Sequence, residues 1–309
     1  MTRGTRRTSV AVVILLGIGV AASAQSVQLR YKFRQGERLR YDVTLKGNGT
    51  ISSPTLGQSD PFEMSGSLRY VTEVQKVDAA GSAILHTVVE DSSINATVGG
   101  QAVPLTLNLP AITTKLTATG KILNCTVAAP MSQQLPALGG LSGAGAATDA
   151  FDFTKFFGAT QNIGFPSRPV SSGTQWSDSV TITTADGAKL QIKSNAKLLG
   201  FTTYQGRRCA KIRTTFTAPL SMQMAQLGIP FALTGSEQGT MTTYFALAEG
   251  RMIGSVGKVT TDITMSTGLG GIGAGQQSAS ASIRSQTDVR VNLAGSPSAL
   301  RQRSAVRGR

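Results

Sequence analysis

Chemistry could sit on very few side chains. His86 is the one histidine, in Ile84-Leu85-His86-Thr87-Val88. A metal site built on it would need carboxylates, and Glu90 and Asp91 are the nearest. One imidazole beside two adjacent acids is not a fixed ligand set, so His86 is expected to be structural or superficial and no metal is expected. Asp149 and Asp152 are the other close acid pair, and capping of a short helix explains them more simply than acid–base catalysis. Gly268-Leu269-Gly270-Gly271-Ile272-Gly273 spells a dinucleotide fingerprint. That fingerprint needs a strand before it and a helix after it. Here Ala274-Gly275-Gln276-Gln277 and another strand-like run follow, so a hairpin loop is the reading. Ser194-Asn195-Ala196-Lys197 spells S-x-x-K without the companion Lys-Thr-Gly. No nucleophile stands out with a base and an orienting acid. The chain is therefore read as non-catalytic, with no cofactor. Cys125 and Cys209 both fall in strand-like runs. A disulfide and two buried thiols both fit, because sequence does not set the Cα separation a bridge requires.

The elements that would carry these residues begin behind an export signal. Arg3, Arg6 and Arg7 precede the uncharged run Val10 to Val20, and Ala22-Ser23-Ala24 supplies the small residues of a cleavage site before Gln25. This is the three-part secretory signature, and the run is shorter than the roughly 20 residues of a membrane span. Residues 1–24 are read as a cleaved signal and the mature chain as a bacterial exported protein, periplasmic or extracellular, with no transmembrane segment. The 309 residues hold 30 Lys+Arg against 16 Asp+Glu, a formal net charge of +14. Much of the excess sits in the signal and in the tail 299–309, where Arg301, Arg303, Arg307 and Arg309 lie without an acid. That tail is expected to be disordered, and it offers a contact for an envelope protein or an anionic surface. No basic stripe is interleaved with aromatics, so no nucleic acid partner is expected.

Residues 25–298 read as one β domain. Leu29, Tyr31 and Phe33 alternate with Arg30, Lys32 and Arg34, and Leu39, Tyr41, Val43 and Leu45 alternate with Arg40, Asp42, Thr44 and Lys46. Period two over such lengths means strands with one buried face. Similar runs recur to Leu293, separated by turn signals such as Thr119-Gly120, Gln205-Gly206 and Glu249-Gly250. The fold class is mainly β: one large curved antiparallel sheet, half-barrel-like, of about 10–12 strands. A weak internal repeat sets 36–127 against 173–257; Gly36 aligns with Gly173, and Gly120 with Gly250.

Two segments break the pattern. In the insert 130–172 a short helix is expected near Asp149 to Gly158, carrying Phe151, Phe153, Phe156 and Phe157. The segment Pro219 to Leu233 carries Met222, Met224, Leu227 and Phe231, with a turn or two of helix at Ser221 to Gln226. One or two short helices would thus cover the concave face. Either they plug it and complete the core, or they leave a gap for an apolar ligand.

Leu29-Arg30-Tyr31-Lys32-Phe33-Arg34-Gln35-Gly36-Glu37-Arg38-Leu39-Arg40-Tyr41, Phe165-Pro166 through Gly173-Thr174-Gln175-Trp176, and Tyr244-Phe245 to Glu249-Gly250-Arg251 resemble a group of exported bacterial β proteins that carries no established activity. More remotely, a curved sheet with helical plugs resembles the periplasmic lipoprotein-carrier (LolA-like) half-barrels, which hold acyl chains on the concave face. Two functions stand open. One is a binder of a lipid-like or other apolar ligand lined by Phe153, Phe156, Phe157, Met222, Met224, Leu227 and Phe231. The other is an envelope structural or interaction protein with a closed core.

Overall fold

The computed structural model describes residues 26–53, 57–105, 111–127, 163–183, 189–226, 229–267 and 280–295. The signal, the tail, the Gly-rich run 268–279 and the Phe-rich stretch of the insert lie outside them. Twelve strands form one antiparallel sheet: β1 (Arg38–Ser53), β2 (Gln58–Val77), β3 (Ala83–Val98), β4 (Gln101–Leu105), β5 (Ile112–Leu116), β6 (Ile122–Val127), β7 (Gln175–Thr183), β8 (Lys189–Tyr204), β9 (Arg207–Gln226), β10 (Ile229–Ala246), β11 (Arg251–Thr267) and β12 (Ser280–Leu293). Their order is β6-β5-β3-β2-β1-β12-β11-β10-β9-β8-β7, with β4 paired to β3. The ends of that path, β6 and β7, approach each other. The sheet thus curls further than a half-barrel and is nearly a closed barrel. Among the described residues there is no helix.

Alternation decides which face turns inward. On β1, Tyr41, Val43 and Leu45 are buried while Arg40, Thr44 and Lys46 are exposed. The inner residues of strand after strand meet in one cluster, among them Leu68, Tyr70, Ile192, Phe216, Met241, Ile263 and Val289. Each such side chain fully removed from water stabilises the fold by about 1.5–3 kcal/mol. The outward charges are the reverse of the apolar band a membrane barrel presents to lipid. Among the described residues no helix is long and apolar enough to cross a membrane.

Two expectations need correction. Ser221 to Gln226 is strand, the far end of β9, held by pairing across to β10 (Ser221 opposite Thr234, Gln226 opposite Ile229). Ladder hydrogen bonds from β10 override the local pattern there. The alternating run Leu29 to Phe33 is extended but belongs to no strand. Its backbone bonds go to turns instead: Tyr31 N–H donates to the Ala118 carbonyl at 2.7 Å and Lys32 N–H to the Gly250 carbonyl at 3.1 Å.

Candidate functional site

All strands share two ends. One holds the turns β2–β3, β5–β6, β8–β9 and β10–β11, and the other holds the hairpins β1–β2, β3–β4 and β9–β10. The first end is stoppered. Residues 26–37 cross it as a strap, tied by reciprocal Val27–Val170 backbone bonds of 2.9 Å and by Gly36 N–H to the Val74 carbonyl at 2.8 Å. Gly250 has φ 62°, and a Cβ there would meet the Lys32 backbone nitrogen at 2.7 Å, so the turn admits the strap only as glycine.

Aromatic rings fill the space beneath the strap. Tyr31 stacks on Phe33 at 5.3 Å and on Phe165 at 5.2 Å, and Phe245 meets both Tyr31 and Phe165 edge-on at 5.2 and 4.8 Å. The Tyr31 hydroxyl accepts from Ile163 N–H at 3.1 Å, and Trp176 Nε1–H donates to the Gly164 carbonyl. Arg251 closes the rim with a 2.7 Å ion pair to Glu37. Burial pushes the phenols of Tyr31, Tyr41 and Tyr70 well above their ordinary range. A void of about 40 Å³ remains between the stopper and the Tyr41–Tyr70 stack. The three motifs that carried the family resemblance all meet here.

The apolar inner wall runs on from the packed core to the other end, where several of its described residues are only half-buried. Val43 is 1% exposed, whereas Ile51, Phe62, Val98, Ala281 and Ile283 are half-buried; on β11 burial continues to the mouth through Ile263 and Met265. Register brings these into one rim: Ile51 faces Ile283, Ile283 faces Ile263, and Phe62 faces Val98. We call this end the mouth. One row below it lies a polar belt of buried Glu237, Thr261 and Ser285. Composition did not signal this belt, because Glu237 sits in the polar run Ser236-Glu237-Gln238. The signal that could have found it is register: Glu237 has the parity of buried Met241 on β10.

The residues expected to line a ligand site divide in two. Backbone register places Met224 opposite Phe231 and Met222 opposite Leu233, at the β9–β10 hairpin of the mouth. Leu227, Phe153, Phe156 and Phe157 lie outside the described residues. His86 is half-buried on β3, 3.4 Å from the Thr113 hydroxyl. Cys125 and Cys209 are buried and not joined to each other. Cys125 belongs to the inner cluster and Cys209 to a separate one with Ala246 and Ile253, so sheet packing rather than a cross-link holds their strands together.

No protein-family model matches the chain. No curated protein matches it either. Among solved structures, one described as "Lipid-protein interactions in lipovitellin" is similar over 85% of this chain and 25% of that one, with 11% identity and a TM-score of 0.41. This chain thus spans about a quarter of that chain's length.

Proposed function

We propose that the protein is an exported, non-catalytic binder of a lipid-like or other apolar molecule, taken up at the mouth. The observation that supports this is the inner wall itself. It is stoppered by aromatic rings at one end, and towards the other it holds half-buried Ile51, Phe62, Val98 and Ile283 beside buried Ile263 and Met265. An apolar surface left partly wet inside a curved sheet is stabilised by an apolar occupant. Met222 and Met224 on β9 and Phe231 on β10 belong to strands that end at the same mouth. The Glu237–Thr261–Ser285 belt suits a ligand with a polar group beside its apolar part.

Native mass spectrometry of the protein purified from an oxidising compartment, with organic extraction of what copurifies, tests the reading. A stoichiometric lipid is expected. It should be depleted by Ile51→Thr with Ile283→Thr, and by Met224→Gln, in protein that remains folded at the assay temperature. A clean apo mass, unmoved by added fatty acid or phospholipid, would instead favour an envelope protein with a closed core.

A further inference from the structure

The outward face carries a feature the inner wall does not explain. Across β9, β10, β11, β12 and β1 it hollows into an open groove of about 1160 Å³. Glycines on the inner side allow the hollow. A Cβ at Gly239 would meet the Phe216 ring at 2.6 Å, and one at Gly257 would meet Met241, so both positions admit close inner packing only as glycine. Lys46, Arg213, Lys258 and Arg290 line the groove with one acid, Asp288. Asp288 is taken by Lys258 at 3.3 Å. Among the described residues Lys46, Arg213 and Arg290 have no ion-pair partner.

Register turns these cations into a track. Lys197 on β8 lies directly opposite Arg213. Arg213 then leads through Thr242 and Val256 to Arg290 and Thr44 in one row across the strands. Lys46 and Lys258 flank Asp288 in the next row, with Thr240 and Thr215 beyond. Like charges set directly opposite on neighbouring strands destabilise a sheet unless an anion screens them. The other half of the outer face is different: there Arg38, Arg40 and Arg69 are matched by Glu73, Glu90 and Asp42.

We propose that this groove binds a linear anionic polysaccharide, with its carboxylate or sulfate groups on Arg213, Arg290 and Lys46 and its hydroxyls on the intervening threonines. A hollow suits a chain better than a flat bilayer surface. The aromatic residue of the lining, Phe216, is buried in the core, so bases would find no stacking platform. The proposal is independent of the apolar mouth.

The test is isothermal titration of the full protein with polygalacturonate. Neutral dextran, vesicles of one-third phosphatidylglycerol in phosphatidylcholine and single-stranded DNA serve as comparisons. Polygalacturonate should bind and weaken with added salt, while dextran should not bind. Arg213→Gln with Arg290→Gln should reduce affinity at least about tenfold at unchanged thermal stability. Arg301→Gln with Arg303→Gln in the tail should leave it unchanged. No binding at low salt would overturn the proposal. So would loss of binding in the tail variant alone, or vesicles or DNA binding more tightly through the same arginines.

Discussion

At the stoppered end two of the turns hold a crossing segment. The β5–β6 and β10–β11 turns hold the strap, the insert returns as Ile163–Phe165, and Tyr31, Phe165, Trp176 and Phe245 interlock. At the mouth, among the described residues, no segment is tied across the hairpins, and the same inner face holds half-buried Ile51, Phe62 and Ile283. One sheet therefore carries two kinds of end from one alternating pattern. What separates them is whether another piece of chain is laid across. Rings interlocked under a tied strap resist change, whereas half-buried residues of the inner face tolerate substitution.

Substitutions at the stopper should have the largest effects. Phe245→Ala should cost about 3–5 kcal/mol, because the ring leaves a cavity that its neighbours cannot fill. Phe165→Ala should cost a similar amount, both read by urea unfolding. Gly250→Ala should cost about 2 kcal/mol, from a left-handed backbone and a Cβ against the strap. If Gly250→Ala is neutral, the strap does not close this end. Raising the pH should then unfold the protein through the same region. The phenols of Tyr31, Tyr41 and Tyr70 are held above their unfolded value of about 10. Their contribution is complete below that value and is lost as pH rises towards the folded pKa. Phenolate absorbance should therefore appear together with loss of circular dichroism, not ahead of it.

The mouth should respond far less. Ile283→Thr is expected to cost about 1 kcal/mol or less, since the side chain is already partly wet. The smallest effect belongs to the outer surface. Arg40 hydrogen-bonds the Glu90 carboxylate and holds it below the usual carboxylate range. Its contribution is present above the unfolded pKa and vanishes as pH falls through the folded one. Wild type and Glu90→Gln should thus converge in thermal stability at acid pH.

Much of this was legible in the sequence, for stated reasons. Alternation in Leu39 to Leu45, and again in Cys209 to Thr217, gave the antiparallel sheet and its inner face, because period two maps directly onto a pleat. Alternation could not tell a paired strand from an extended strap. Leu29, Tyr31 and Phe33 bury alternate side chains while their backbone bonds go to turns. Strand ends at the mouth were read short. β1 runs to Ser53 and β9 to Gln226, through Gly, Ser, Thr and Met residues where apolar contrast fades. The cation track was invisible for a different reason. Lys197, Arg213 and Arg290 are far apart in the chain and meet only through register across β8 to β12.

An apolar molecule that enters by the mouth should stop short of the aromatic end. Methionine methyl groups mark that path: Met265 and Met64 lie on the inner face towards the mouth, and Met252 lies beside Tyr41 near the stopper. Carbon-labelled methionine spectra recorded with a nitroxide-bearing stearate report all three at once. Broadening of Met265 and Met64 at probe levels that leave Met252 sharp is the expected result. Broadening of Met252 first, or of none of the three at saturating probe, would contradict the account.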